Sequence, residues 1–148
     1  TKTLGIEEKN LTILPFKVRE FGYSRQKILD EIIGLRSNNY FSIVLIPSIN
    51  DVHQDHNVVA NEAVRAFKNS STILSYELPW NLLKSDANCF IKLEERHLLK
   101  KIESLSCYKS QGNRNYMTKD TIFPMTKTEG IKVGLKYAES FSVVRLFL

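Results

Sequence analysis

The sequence predicts an α/β fold, a sheet whose strands are joined by crossover helices. Three observations carry that expectation. Phe41-Ser42-Ile43-Val44-Leu45-Ile46-Pro47 is an almost unbroken apolar, β-branched run, the pattern of a parallel strand buried on both faces. His56, Val59, Ala60, Ala63 and Phe67 then recur at the spacing of one helix face. Thr72-Ile73-Leu74-Ser75-Tyr76 follows as the next strand.

The remaining elements are placed around this unit. Thr1 to Asn10 reads as the tail of a helix, a stop at Gly5 and a polar turn. Leu11 to Phe16 is expected as a short strand. Ser24 is positioned to cap a helix from Arg25 to Leu35, whose apolar stripe is Ile28, Ile32 and Leu35, widened by Ile33. Gly34 weakens its last turn. Cys89 to Leu93 reads as a strand, and Glu94 to Ser106 as an amphipathic helix through Leu98, Leu99, Ile102 and Leu105. Gly112 to Lys119 is expected as loop, and Phe141 to Leu148 as a closing strand or extended arm. With no internal repeat, low-complexity tract or linker, residues 1–148 are expected as a single domain.

Composition narrows the function classes. The 148 residues are 43% hydrophobic and 25% charged, ordinary for a globular protein, with a net charge of +5. The positive residues are scattered: the longest run is Lys100-Lys101, with acids interspersed along the same helix. A nucleic-acid binder gathers its cations on one face or in one block, so no nucleic-acid partner is expected. No apolar run approaches the roughly 20 residues of a membrane-spanning helix, and no signal-peptide pattern is visible. Cys89 and Cys107 are too few for a disulfide framework and lack metal-ligand spacing, and their apolar neighbours suggest buried free thiols. Together these features point to a cytoplasmic location.

The chemistry is concentrated in Asn50-Asp51-Val52-His53-Gln54-Asp55-His56, directly after the apolar strand and at the start of a helix. Ligands of open α/β sheets bind beyond the carboxyl ends of the strands. Imidazole is a common zinc ligand, and a carboxylate bonded to a His fixes its tautomer. His53 and His56 can lie on one side of a first helical turn. The residues suit a metal or acid/base site, while Asp51 or Asp55 could also serve simply as a helix cap.

Asp51-x-His53-x-Asp55-His56 resembles the second motif of the LmbE-like, or PIG-L, N-acetylglucosaminyl deacetylases. Tyr108-Lys109-Ser110-Gln111 is similar to a Ser-Gln element that follows a Lys-containing helix in that family. Tyr137-Ala138-Glu139-Ser140-Phe141 is similar to its closing Tyr-Ala-Glu-x-Phe. The resemblance implies a Rossmann-like, mostly parallel sheet with flanking helices, one catalytic zinc, and hydrolysis of the acetamide of an acetylated amino sugar. Carried over residue by residue, it assigns His56 as a zinc ligand. His53 would face the substrate carbonyl or the departing amine, and Asp55 would orient His53. Zinc lowers the pKa of a bound water to about 7 and polarises the amide carbonyl.

The sequence departs from the family at one point. The family's first motif, a His-Pro-Asp-Asp segment after the first strand, supplies further ligands and the general base, and it does not occur here. Catalytic zinc takes three protein ligands. The chain therefore resembles the C-terminal two-thirds of such a domain, with the first strands of the sheet missing. The alternative is a catalytically incomplete sugar-binding module, or a subunit needing a complementing N-terminal chain or a homo-oligomeric partner. Three further residues are weighed for the substrate side. Asp51 belongs to the motif, Trp80 could stack on a sugar ring or cover the core, and Glu139 needs a partner within an apolar-flanked strand. His97, on the Glu94 to Ser106 helix, is expected as a surface or boundary residue. Ser110 and Gln111 are expected as helix-terminal or supporting groups.

Overall fold

A computed structural model describes residues 1–109 and 114–148. Its elements are α1 (Arg25–Asn38), β1 (Ile43–Pro47), α2 (Gln54–Phe67), β2 (Thr72–Tyr76), β3 (Cys89–Lys92), α3 (Glu95–Leu105), α4 (Lys119–Ile131) and β4 (Ala138–Arg145). The strands follow the order β1-β2-β4-β3 in a four-stranded sheet. β1 and β2 are parallel, in register from Ile43 opposite Thr72 to Pro47 opposite Tyr76. β4 runs antiparallel to β2, with Phe141 opposite Tyr76 and a register shift between Ile73 and Leu74. The predicted α/β architecture with flanking helices is the architecture of the chain. Among the described residues no helix is long and apolar enough to cross a membrane.

The chain divides into two compact units, Pro15–Cys89 with Ser140–Leu148, and Thr1–Leu14 with Phe90–Glu139. The core of the first is built by α1 and α2 against one face of β1 and β2. Leu29, Ile46, Ala60, Ala63, Ala66, Phe67 and Ile73 form one buried cluster, with Ile32, Ile33, Val44, Val64 and Val144 packed on it. The alanines of α2 let α1 and the sheet approach closely, and each buried apolar side chain removes area from water at about 25 cal/mol per Å². One charge is enclosed here. The Glu62 carboxylate is fully buried and takes Arg25 at 2.6 Å and Arg65 at 2.5 Å, so α1 and α2 are joined by an ion pair as well as by packing.

Four sequence expectations are corrected in this unit or beside it. β1, one of the two edge strands, is not buried on both faces: Ile43 is 57% and Leu45 54% exposed, because helices cover only the Val44/Ile46 face. The core stripe of α1 includes Leu29, whereas Leu35 is partly exposed. Leu11 to Phe16 forms no strand. Extended backbone becomes a strand only when a neighbour takes its N–H and C=O groups; Ile13 is 81% exposed and Pro15 has no N–H to give. Cys107 is exposed, in the turn after α3, and Cys89 is half-buried.

In the other unit, α3 buries Leu98 completely and presents Leu99 outward. Its first turn carries a capping box in which Glu94 accepts from the His97 backbone N–H and His97 Nδ1 accepts from the Glu94 N–H at 3.0 Å. His97 is thus a capping residue. α4 has no counterpart in the sequence reading, since three threonines, Pro124 and Gly130 hide a helix from propensity and periodicity. Thr126 Oγ1 donates to the Ile122 carbonyl at 3.0 Å and to the Phe123 carbonyl at 3.1 Å. Gly130 is required by contact: a Cβ there would lie 2.6 Å from the Leu135 carbonyl oxygen. That close return brings Tyr137 edge-on to Phe123 at 5.8 Å and leads into β4.

Candidate functional site

The motif loop leaves the carboxyl end of β1 and enters α2, and the backbone of the loop fixes its geometry. Asp51 N–H donates to the Ser48 carbonyl at 3.1 Å, and Val52 N–H to the Asn81 carbonyl at 3.0 Å. Asp51 also forms an isolated bridge with Leu82. The segment after β2 therefore acts as a brace for the loop, and Trp80, 46% exposed, stands in its Pro79–Asn81 turn.

Within the loop, Asp51 is almost completely buried. One of its oxygens accepts the His53 N–H at 2.7 Å, and the other faces His56 Nδ1 at 2.8 Å and Asn81 Nδ2 at 3.5 Å. A carboxylate can only accept here, so His56 carries a proton on Nδ1, and in the neutral ring the lone pair lies on Nε2. His53 is held the other way. It is the N-cap residue of α2, and its Nδ1 accepts the Asp55 N–H at 3.2 Å. The neutral His53 ring therefore carries its proton on Nε2. The two rings stack, centroids 4.5 Å apart and 27° between planes. The loop thus pairs an imidazole lone pair with an imidazole N–H donor, a combination fixed by local hydrogen bonds.

The carboxylates divide their work differently from the sequence expectation. The one that clasps a His side chain is Asp51, on His56, while Asp55 Oδ2 accepts the Arg19 backbone N–H at 2.6 Å. The contact of Asp55 with the His53 ring runs through its backbone N–H. Its other oxygen, Oδ1, is buried without a partner among the described residues. Asp51 also acts on Tyr76: burial first, and then the Asp51 charge, hold the Tyr76 phenol above its ordinary pKa.

Beside Asp51 lies a cleft of about 260 Å³, lined by Ser48, Asn50, Ser75, Asp86, Asn88 and Ser142 together with three aliphatic residues. Asn50 Nδ2 donates to Asp86 Oδ2 at 2.9 Å, and Asn88 Oδ1 accepts the Val143 N–H at 2.9 Å. The Ser75 hydroxyl is buried and has no partner among the described residues. The lining is rich in hydroxyl and amide groups, carries one carboxylate, Asp86, and contains no cation, which suits a hydroxylated ligand that donates hydrogen bonds. Apart from Asn50, which opens the motif, these residues carry no sequence signal for a site, because the fold gathers them from four separate segments.

Asp51, His53, Asp55 and His56 are therefore brought together, with Trp80 on the bracing segment. Glu139 belongs to the other unit, where its carboxylate pairs with Lys101. Ser110 and Gln111 lie outside the described residues. As a test of zinc, the Asp51–His56 pair has the carboxylate–imidazole form typical of metal-binding histidines, with Nε2 left to coordinate. No group of three or more His, Cys, Asp or Glu residues that could hold a metal occurs among the described residues. The fit is that of one ligand with its supporting carboxylate.

At the level of sequence the chain matches no family model and no curated protein. Solved structures do match. One is the N,N'-diacetylchitobiose deacetylase of Pyrococcus horikoshii, in complex with an inhibitor, at a TM-score of 0.72 and 20% identity. The chain shares the fold of this deacetylase. The alignment covers 97% of the present chain and 59% of the deacetylase. A conserved protein of Thermus thermophilus, TT1542, matches with a TM-score of 0.62 and 18% identity, over 98% of this chain and 65% of that one. The chain therefore spans about three-fifths of the length of these structural neighbours.

Proposed function

We propose that this chain carries the substrate-facing part of a zinc-dependent hydrolase that removes the acetyl group from an N-acetylglucosamine-type amino sugar or glycoconjugate. The observation that carries the reading is the His53/His56 pair, a lone pair beside an N–H donor at the carboxyl end of β1. The shared fold with a diacetylchitobiose deacetylase and the hydroxyl- and amide-lined cleft beside Asp51 support it.

In this reading His56 holds zinc through Nε2, and Asp51 sets that nitrogen's basicity and direction. Zinc, when bound, polarises the acetamide carbonyl and supplies a nucleophilic water at neutral pH. His53 Nε2–H donates to the oxygen that becomes negative in the tetrahedral intermediate, or to the nitrogen that leaves as amine. Asp55 fixes the His53 ring through its backbone N–H. The Asp51-side cleft takes the sugar hydroxyls, and Trp80 offers a face for the ring.

The remaining zinc ligands and the general base would come from polypeptide outside the described residues, on a preceding segment or on a complementing chain. β1 is the place for it to join, since it is an edge strand with Ile43 and Leu45 exposed. A sugar-binding module without catalysis is the second reading, favoured by the lack, among the described residues, of any group of three or more side chains that could hold a metal.

Acetate release from N-acetylglucosamine and its β-linked dimer, by the protein as its natural source produces it, separates the two readings. Hydrolysis that a chelator abolishes and zinc restores supports the enzyme. Saturable sugar binding without any acetate release, at full zinc loading, would establish the binding module instead.

A further inference from the structure

At the end of the sheet opposite the motif, α1 and α2 finish just before β1 and β2 begin. A groove of about 480 Å³ lies there, larger than the cleft beside Asp51, lined by residues 36–41, 70 and 71. Contacts from the core fix its walls. The Arg36 guanidinium donates to the Ala66 carbonyl and so ties the end of α1 to the end of α2. Ser71 is buried and its hydroxyl donates to the Phe41 carbonyl at 2.7 Å, while the Phe41 ring meets Phe67 edge-on at 5.8 Å. The N–H groups of Ser70 and Ser71 both close on the Phe67 carbonyl, at 3.0 Å and 3.2 Å. A groove held in this way is formed before any ligand arrives.

The groups that face this groove suit a neutral, hydroxylated ring. Tyr40 is 88% exposed, and its ring and hydroxyl have no partner among the described residues, so the packing of the fold does not account for it. Asn38 and Asn39 each spend an amide donor on a carbonyl of α1, Gly34 at 3.0 Å and Leu35 at 2.9 Å. Both Oδ1 atoms are left as open acceptors. Arg36 keeps further N–H donors beyond the one on Ala66. No carboxylate lines the groove. Its one cation stands at the carboxyl ends of two helices, where the last carbonyls carry partial negative charge and offset it. An exposed aromatic face, ringed by amide acceptors and guanidinium donors with the charge already balanced, matches a sugar: the C–H face packs on the ring and the hydroxyls reach the polar groups.

We propose that this groove is a second carbohydrate site, which holds a neutral sugar unit against the Tyr40 ring. α2, 14 residues and about 20 Å long, separates it from the His53/His56 motif. The unit bound here is therefore not the one presented to the two histidines. The inference stands on the lining of the groove and takes only its probe from the amino-sugar reading.

The probe is the β-linked N-acetylglucosamine trimer, titrated into the protein as its natural source produces it. Backbone amides are followed by NMR, and acetate release is measured separately. Saturable shifts are expected at Asn38, Asn39, Tyr40 and Ser70. Tyr40→Ala should weaken the binding read at these amides about tenfold or more, whereas Tyr40→Phe, which keeps the ring, should hold it within about twofold. The exposed ring leaves the core untouched, so both variants should fold as the parent does. Absence of saturable shifts at these four amides would overturn the proposal. Groove binding that Tyr40→Ala leaves intact, or that Tyr40→Phe weakens equally, would overturn it as well. Groove binding with no acetate release would retain this inference and remove the deacetylase reading. Acetate release without groove binding would do the reverse.

Discussion

Asp51 shows how one buried carboxylate can organise several partners. It takes the His53 N–H, His56 Nδ1 and Asn81 Nδ2, and it raises the pKa of Tyr76 by its charge in addition to the effect of burial. Replacing it with Asn keeps the volume but weakens the acceptor for His56. In the zinc-loaded protein as its natural source produces it, Asp51→Asn should lower metal affinity about 10- to 100-fold, measured by competition with a chromogenic chelator. An unchanged affinity would detach Asp51 from the metal. The two histidines should separate cleanly. His56→Ala should abolish zinc binding, whereas His53→Ala should keep zinc near wild-type content and slow acetate release about 100-fold or more. Equal metal loss in both variants would contradict this division. Tyr76 gives a pH signature. Its folded pKa lies above the unfolded value near 10, so the stability it contributes is present below pH 10 and lost as pH rises through the folded pKa. Tyr76→Phe should reduce the alkaline fall in thermal midpoint; an identical profile in both proteins would show that another group controls it.

At the scale of elements, legibility followed the source of the signal. β2 was legible to the residue and α2 nearly so, because both are sequence-local patterns of apolar spacing and β-branching. The exposed face of β1 was not legible: an apolar run records composition and not the neighbours that cover it. The Leu11 to Phe16 segment failed as a strand for the related reason that pairing is non-local. α4 was hidden because Thr121, Pro124 and Gly130 are locally poor helix residues, and tertiary contact at Gly130 and Tyr137 overrides them. Gly130→Ala should therefore cost about 2–3 kcal/mol, as a Cβ meeting backbone cannot be relieved by a side-chain shift. Chemical denaturation reads this, and a neutral outcome would mean that the α4–β4 connection yields. Glu62→Gln tests the α1–α2 junction. The arginines are about half exposed and can rehydrate, so the loss should be about 2 kcal/mol and not the larger penalty of a stranded buried charge.

At the scale of the molecule, the motif His53 to His56 and its place after β1 could be read from the sequence, since a strand, a loop and a helix N-terminus are contiguous there. Its surroundings could not. Asn81, Arg19 and the part of the cleft lining contributed by Ser75, Asp86, Asn88 and Ser142 come from distant segments, and a left-handed arginine leaves no mark in composition or periodicity. The pairing of Asp51 with His56, and of the Asp55 backbone with His53, is likewise a matter of geometry that spacing alone leaves open. The fold is shared with a diacetylchitobiose deacetylase that is longer than this chain, and no group of three or more metal-ligating side chains occurs among the described residues, so the proposed reading leaves His56 as one zinc ligand. Zinc bound by one imidazole is held weakly, because affinity grows with the number of deprotonated ligands that the fold pre-positions. Titration calorimetry of residues 1–148 with zinc, run beside the protein as its natural source produces it and the His56→Ala variant of that protein, tests the central claim most directly. The account predicts weak binding to residues 1–148 alone, tight one-to-one binding where the proposed complementing segment or chain is present, and loss of that tight site in His56→Ala. Tight binding by the chain alone, or a tight site that survives His56→Ala, would contradict it.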